Sequence, residues 1–289
     1  MPELPEVETI KRGLNKLIIG RKITIVNNDN PKSFPNAAHD VTQFLINAKV
    51  IDVRRRAKVL LIDLSTKYTL VIHLKMTGQL VFVDNLIRFG AGHPNDSLIN
   101  ALPDKSTRVT FDFSDGSHLY FNDQRKFGWV RLIPTLEVPN IDFMKKVGPE
   151  PLEADFTAKE FIGRFKRRAR TSIKAALLDQ TVIAGVGNIY ADESLWGAKI
   201  HPSRLVGSIT EAEFNKLYSE VRSVMNLSIE KGGSTNRNYV DAEGKKGAYM
   251  DFARVFRREG LPCPRCGTEI IKIKVAGRGT HICPNCQQL

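Results

Sequence analysis

The chain has 289 residues, of which 42% are hydrophobic, and this size suits two domains that each bury a core. Its 43 Lys and Arg outnumber its 31 Asp and Glu, and the net charge of +12 favours a polyanionic partner such as nucleic acid. No apolar run approaches the roughly 18 residues of a membrane-spanning helix, so a membrane partner is not expected. The acidic start does not resemble a signal peptide, and we therefore expect a cytoplasmic protein with reduced or metal-bound cysteines.

The chain begins with "MPELPEVET", in which two prolines surround an acidic residue. Removal of Met1 would expose Pro2 as a secondary amine, and an amine with a pKa of about 8 is a nucleophile at physiological pH. Pro5 suits the first turn of a helix that the spacing of apolar residues continues as far as Gly20. Pro2 is therefore a candidate nucleophile held in place by the helix that follows it.

Short runs of β-forming residues, separated by turn residues, come next. We predict strands at residues 58–64, 68–76 and 78–83 and a hairpin at 108–123. The stretch between the last two, residues 86–106, has no regular pattern and is predicted to be a mobile loop.

A basic cluster, "RRRAK", precedes the first of these strands. Charge runs are usually solvated, and we expect this of Arg54, Arg55 and Arg56. Lys58 adjoins an apolar run, so partial loss of hydration is expected to lower its pKa.

Three residues near turns invite comparison with side chains that wedge between DNA bases, namely Met76, Arg125 and Phe127. For Met76 and Phe127, position alone favours ordinary packing in the core.

Prolines at 134, 139, 149 and 151 indicate a linker. The predicted division is an N-terminal domain at 1–133, a linker at 134–151, a second domain at 152–254 and a small module at 255–289. Beyond the linker, the pattern predicts helices at 157–168, 171–180, 188–197 and 211–230, and the Gly-rich stretch 231–250 is predicted to be a surface loop. Asn188 would start the third helix, as a plain N-cap or as a group that holds a phosphate there, and the two roles are compatible.

The four cysteines form two CxxC pairs: Cys263 and Cys266, then Cys283 and Cys286. Two such pairs at this spacing are typical of a tetrahedral zinc site, whose four thiolates leave no position for a catalytic water. We therefore predict one structural Zn²⁺ rather than a redox dithiol. The residues between the pairs form a predicted hairpin with Arg278 at its turn, either as a solvated charge or as a finger for phosphates or bases.

Together these motifs resemble formamidopyrimidine-DNA glycosylases, bacterial repair enzymes for oxidised purines. The resemblance covers the whole chain. Its motifs are "MPELPEVET", "RRRAK" at 54–58, "HLKMTG" at 73–78, "NDQRKFG" at 122–128, "GPEPL" at 148–152, "GVGNIYADE" at 185–193, "GGSTNRNY" at 232–239 and "AGRGT" at 276–280 in the zinc finger.

The resemblance implies a two-domain α+β fold, in which an N-terminal β-sandwich with flanking helices precedes a helix–two-turn–helix domain with a four-cysteine zinc-finger hairpin. It also implies a mechanism. Pro2 would attack C1′ of the damaged nucleotide and form a Schiff base, and Glu3 would act as general acid and base. Strand cleavage by β,δ-elimination would follow, with Lys58 and Arg278 assisting.

The resemblance further implies that Met76, Arg125 and Phe127 fill the gap left by the extruded base, and that residues 231–250 form a lid over that base. His73 and Asn188, with Lys58 and Arg278, would hold the backbone. The implied partner is double-stranded DNA with oxidised purines or abasic sites, bound by a monomer without an organic cofactor.

The chain departs from the family pattern at two places in these motifs. Gln124 replaces a proline that would stiffen the turn, and Ser106 replaces a histidine that commonly contacts DNA. We do not assign that contact to Ser106.

Two alternatives remain open. An endonuclease VIII-like enzyme would share the fold and the proline chemistry but prefer oxidised pyrimidines. A zinc-finger protein on the same scaffold could bind DNA without catalysis, although it would have no use for Pro2, Glu3 and Lys58.

Overall fold

The computed structural model describes residues 2–93, 95–234 and 248–289. The chain divides into two units, one formed by residues up to Lys145 with Lys231–Tyr249, the other by Lys146–Glu230 with Met250–Leu289. The four-part division of the chain expected from its prolines remains a prediction.

The first unit begins with helix α1, Leu4–Ile18, which has Pro5 in its first turn. A proline is tolerated there because the first N–H groups of a helix have no intrahelical partner. The apolar face of α1 is buried through Val7, Ile10 and Leu14. A short helical segment follows the first strand, β1 at Ile23–Asn28, and is made of α2 at Ala38–Asp40 and a π-helical turn at Val41–Leu45.

Among the described residues of the first unit, nine strands form two antiparallel sheets. The five-stranded sheet has the order β1-β7-β8-β5-β6, and the four-stranded sheet has the order β2-β3-β4-β9. The strands are β1 Ile23–Asn28, β2 Val50–Arg56, β3 Val59–Leu64, β4 Tyr68–His73, β5 Gly78–Val83, β6 Arg88–Gly92, β7 Thr107–Phe113, β8 His118–Asp123 and β9 Trp129–Pro134.

The two sheets share one core. Leu60 and Ile72 from the four-stranded sheet, Phe82 and Phe121 from the five-stranded sheet, and Leu14 from α1 belong to a single buried cluster. Because alternate residues of a strand point to opposite faces, each sheet contributes every second side chain to this layer.

The prediction of a mobile loop at residues 86–106 is wrong in its first part. Strand β6 pairs with β5 throughout its length, and a 3₁₀ turn at Asp96–Leu98 follows it. Strand β6 was not predicted because it contains two glycines, Gly90 and Gly92, and glycine is a poor strand former.

The second unit is helical and carries the cysteine hairpin. Thr157 caps α4, because its hydroxyl accepts a hydrogen bond from the Glu160 N–H. Ser172 caps α5 in the same way, with a hydrogen bond from the Ala175 N–H. Its elements are α4 Ala158–Lys166, α5 Ile173–Leu178, α6 Asn188–Gly197, α7 Glu211–Glu230, β10 Ile271–Val275 and β11 Arg278–Ile282; α3, Asp142–Lys146, lies at the boundary, and further 3₁₀ turns lie at Thr135–Asn140, Val206–Ser208 and Tyr249–Phe252.

These findings confirm the predicted fold class, a β-sandwich followed by a helical domain with a four-cysteine hairpin. Strand β5 and helices α6 and α7 have the predicted bounds. No helix of the described residues is both long and apolar enough to cross a bilayer.

Candidate functional site

The N-terminal residues are held by a carboxylate that the sequence analysis did not single out. Pro2 and Glu3 are buried, and Glu3 immediately precedes α1. The Glu3 N–H donates to Glu6 Oε2 at 2.8 Å, and the Ser234 N–H donates to Glu6 Oε1 at 2.9 Å. Glu6 therefore fixes the backbone next to Pro2 and connects it to residues 231–234.

Helix α1 is also bound to strand β2. The Arg55 side chain is buried and donates from Nε to Glu8 Oε2 at 3.0 Å. Burial alone would raise the pKa of Glu8, but hydrogen bonds and positive charges, chiefly from Arg55, lower it below its ordinary value. The prediction of a solvated face is therefore wrong for Arg55. Arg54 is paired as well, since its guanidinium group donates to both oxygens of Asp63.

Lys58 and His73 lie at one end of the four-stranded sheet. Lys58 is only 6% exposed. It follows Ala57, which lies in the turn between β2 and β3 and has a φ of 52°. Val59, the next residue, pairs with His73, the last residue of β4. The structure thus brings together two of the residues predicted to hold the DNA backbone.

His73 is neutral. Burial, with the positive charges of Lys75 and Lys58, lowers its pKa to about 3. Its Nδ1 accepts the Lys75 N–H at 3.0 Å, so the proton of the neutral ring is on Nε2. His73 can therefore donate a hydrogen bond to a phosphate oxygen without carrying a charge.

The three predicted wedge residues are at the surface. Met76 is 38% and Phe127 55% exposed, so the expectation of core packing is wrong for both. Arg125 is exposed as well, and its Cζ lies 4.9 Å from the centre of the Phe127 ring. Such a cation–π contact orders two exposed side chains that would otherwise sample many rotamers.

In the second unit, Asn188 and Arg278 belong to neighbouring elements. Asn188 is the first residue of α6, with Gly187 as the N-cap, so the N-cap interpretation of Asn188 is wrong. Its Nδ2 donates to Gly279 O at 3.0 Å. Arg278 is exposed at the start of β11, after a tight turn in which Ala276 and Gly277 both have positive φ.

A buried ion pair supports the turn that carries Arg278. Lys174 and Asp192 are both fully buried, and Lys174 Nζ donates to Asp192 Oδ1 at 2.6 Å. The same ammonium group donates to Thr280 Oγ1 at 2.6 Å and to Gly279 O at 3.3 Å, while the His281 N–H donates to Asp192 Oδ2 at 2.9 Å. Strand β11 is thus attached to α5 and α6 directly beside Arg278.

We expect Lys174→Met to destabilise the second unit by about 3–5 kcal/mol, because it leaves the Asp192 carboxylate buried without its cation. Urea unfolding followed by circular dichroism measures this loss. Lys166→Met, the same change at an exposed position of α4, is the matched control and should change the free energy of unfolding by less than about 0.5 kcal/mol. Equal stability of the two variants would contradict the assignment.

The four cysteine Sγ atoms all lie within 4.8 Å of one another. They can therefore surround one tetrahedral Zn²⁺, and such a closed shell of four sulfur ligands is typical of structural zinc. Cys263 and Cys283 share a buried cluster with Trp196 of α6, whose Nε1 donates to Cys263 Sγ at 3.4 Å.

Three family models match successive parts of the chain. Residues 1–130 match the formamidopyrimidine-DNA glycosylase N-terminal domain, and residues 147–240 match the H2TH domain of the same enzymes. Residues 260–289 match the zinc finger found in FPG and IleRS. The chain belongs to the formamidopyrimidine-DNA glycosylase family.

Relatives of this family match over the whole chain. The formamidopyrimidine-DNA glycosylase of Pelotomaculum thermopropionicum is 43% identical and that of Pediococcus pentosaceus 42% identical, each over 100% of both chains. The chain also resembles a Lactococcus lactis Fpg variant in complex with Fapy-dG-containing DNA, with a TM-score of 0.88 and 36% identity over 100% of both chains. It also resembles MutM in complex with carbocyclic 8-oxo-G-containing DNA, with a TM-score of 0.86 and 36% identity over 100% of both chains.

The zinc prediction is confirmed for this family member by the matched zinc finger and the four-cysteine cluster. The predicted lid falls largely on residues 235–247, which lie outside the described residues. Ser106, to which no DNA contact was assigned, is buried, and its hydroxyl is hydrogen-bonded to Asp104 and Ser97.

Sequence reasoning missed the residues that support this site. Glu6 stands three residues after Glu3, a spacing typical of reciprocal helix capping, but Glu3 is not one of the usual N-cap residues. Lys174 stands between apolar residues of a short helix, where a charge signals a buried pair only once the partner is known.

Proposed function

We propose that this chain is a bifunctional DNA glycosylase and abasic-site lyase of base excision repair that removes oxidised purines, including 8-oxoguanine and formamidopyrimidines. The observation that carries the proposal is the buried Pro2-Glu3 pair, fixed by Glu6, in a chain that belongs to the formamidopyrimidine-DNA glycosylase family. A secondary amine held rigidly beside a carboxylate can perform nucleophilic and acid–base steps without an organic cofactor.

The proposed reaction begins at the Pro2 nitrogen and ends with cleavage of the strand on both sides of the lesion. The Pro2 nitrogen forms a bond to C1′, the glycosidic C1′–N bond breaks, and the departing base takes a proton. Opening of the sugar ring at C1′–O4′ then leaves a positively charged iminium at C1′, with Glu3 supplying and accepting protons. The iminium accepts the electron pair released when a C2′ proton is removed, and the 3′ phosphate leaves. A further elimination releases the 5′ phosphate, and water then hydrolyses the C1′=N bond, which frees Pro2 and an unsaturated aldehyde.

We assign backbone binding to residues of both units. Lys58 provides a positive charge and neutral His73 a hydrogen-bond donor for phosphate oxygens. Arg278 and Asn188 would do the same from the second unit, and Arg278 would assist elimination together with Lys58. A single Zn²⁺ on the four cysteines supplies rigidity to the hairpin that carries Arg278.

Met76, Arg125 and Phe127 would occupy the gap left when the damaged nucleotide is extruded from the duplex. We further propose that the protein acts as a monomer in the bacterial cytoplasm, on the DNA of the nucleoid, and that its functional parts follow the predicted boundaries at 133/134, 151/152 and 254/255.

Comparison of three otherwise identical duplexes tests the proposed substrate. They carry 8-oxoguanine opposite cytosine, thymine glycol opposite adenine, or no lesion. We expect cleavage of the first to exceed that of the second by about 10-fold or more, because purine and pyrimidine lesions present different hydrogen-bonding groups to the site.

The undamaged duplex should stay intact. A preference for thymine glycol would assign the chain to the endonuclease VIII-like alternative. Binding of the lesion duplexes without cleavage of either would favour the non-catalytic zinc-finger protein.

A further inference from the structure

Two chain segments cross between the sheets at the same end of the sandwich. Residues 74–77 connect β4 to β5 and carry Met76, and residues 124–128 connect β8 to β9 and carry Arg125 and Phe127. Gly78, at the start of β5, pairs with Asp123, at the end of β8, and His73 pairs with Trp129 in the other sheet. The strand pairing therefore places both crossings side by side.

Two buried side chains join these crossings. The Thr77 hydroxyl donates to Asp123 Oδ1, and the Gly128 N–H donates to Asp123 Oδ2 at 2.6 Å. The Arg125 N–H lies 3.1 Å from Thr77 Oγ1 and 3.2 Å from Asp123 Oδ1. One carboxylate and one hydroxyl thus connect the backbone of the second crossing to the side chain of the first.

The crossings need such support because each contains a strained residue. Lys75 has a φ of 50° and Lys126 a φ of 57°, a left-handed conformation that costs free energy for any residue with a Cβ. Gln124 is exposed and stands where family members have a proline, so the turn is not stiffened by a ring. Hydrogen bonds from the Arg125 and Gly128 N–H groups to the Asp123 carboxylate hold the turn in this conformation.

We propose that Asp123 and Thr77 are positioning residues that hold Met76, Arg125 and Phe127 as one preformed wedge. The inference rests on the proposed function, in which these three side chains fill the gap in the duplex. Their entry into the base stack has to offset the loss of stacking, and a wedge that is ordered beforehand does not lose conformational entropy at that step. Asp123 and Thr77 are both buried, so we expect them to act through the wedge rather than by contact with the DNA.

Thr77→Val tests the proposal because it keeps the side-chain shape and replaces the hydroxyl by a methyl group, which can neither donate nor accept a hydrogen bond. Two substrates separate positioning from chemistry: a duplex with an abasic site and 2-aminopurine in the opposite strand, and the single-stranded abasic oligonucleotide. 2-Aminopurine brightens when it is unstacked, so its fluorescence reports entry of the wedge. We expect the fluorescence change and the rate of borohydride trapping on the duplex to fall by about 10-fold, with single-strand trapping unchanged.

Thr77→Ser restores the hydroxyl and should restore both duplex signals. Thr110→Val, on β7 of the five-stranded sheet, is the matched control and should behave as the native protein. Asp123→Asn replaces one acceptor oxygen by an amide group and should show the same selective loss as Thr77→Val, with urea unfolding used to verify that it is folded.

Native fluorescence and native duplex trapping by Thr77→Val would overturn the inference. An equal loss on both substrates would also overturn it, because the hydroxyl would then support the chemistry or the fold in general. If the native protein itself formed no adduct, the proposed lyase chemistry would fail, while the fluorescence signal on the abasic duplex would still decide the role of Thr77.

Discussion

A protein that carries one extra residue before Pro2 is expected to form no borohydride-trapped adduct and to cleave 8-oxoguanine duplex at least about 1,000-fold more slowly than the native protein. The extra residue converts the secondary amine of Pro2 into an amide, whose nitrogen lone pair is delocalised and cannot attack C1′. The measurement is denaturing electrophoresis of the trapped complex after a single turnover.

The control is the same residue added after Leu289, at an exposed position, which should leave both reactions unchanged. Binding of a duplex with a tetrahydrofuran abasic analogue, followed by anisotropy, shows whether the extended protein still recognises its target. Normal trapping by the extended protein would remove Pro2 from the mechanism. Loss of binding together with trapping would indicate that the buried N-terminus had been displaced, and retention of Met1 should then have the same double effect.

Removal of zinc is expected to weaken DNA binding strongly while the first unit stays folded. The module at residues 260–289 has a small buried cluster, and structural zinc sites of this kind contribute about 10–16 kcal/mol of apparent binding free energy near neutral pH. Without the metal, the four thiols lose their common centre and the hairpin that carries Arg278 loses its anchor. Chelation should release one zinc per chain and lower affinity for abasic duplex by about 100-fold or more.

Cys283→Ser, at a fully buried ligand, should reproduce the effect of chelation, whereas Gln288→Ser, at an exposed position of the same module, should bind zinc and DNA normally. Cobalt substitution gives an independent measurement, because a tetrahedral four-sulfur site has intense visible absorption. Persistence of DNA binding after complete release of the metal would contradict the structural role of zinc.

Local sequence patterns predicted the helices and the metal site, because these depend on residues that lie close together in the chain. The 3.6-residue spacing after Pro5 predicted α1, and α6 and α7 have the predicted ends. The two CxxC pairs predicted the zinc site, because the four ligands follow from spacing within 24 residues of chain. By contrast, β1 and β2 were not predicted, since their partners β7 and β3 decide which residues of these polar strands are buried.

The positions of single side chains depended on tertiary contacts. Met76 and Phe127 have hydrophobic side chains of the kind found in cores, but the strand register places both in exposed crossings at one end of the sandwich. Arg55 has a charged side chain of the kind usually found in solvent, but this side chain is buried against Glu8 of α1. A pattern of polarity cannot distinguish these cases, because burial depends on residues far away in the sequence.

The sequence alone supplied the groups that the proposed chemistry needs: a proline that can start the chain, a neighbouring carboxylate, two pairs of cysteines and an excess of positive charge. These depend on the types and spacing of residues, which do not change on folding. The folded chain adds the supports, namely Glu6 at the N-terminus, Asp123 and Thr77 between the two crossings, and Lys174 with Asp192 beside Arg278. Such supports arise from hydrogen bonds between distant residues, and a hydrogen bond exists only where the fold brings donor and acceptor within about 3 Å.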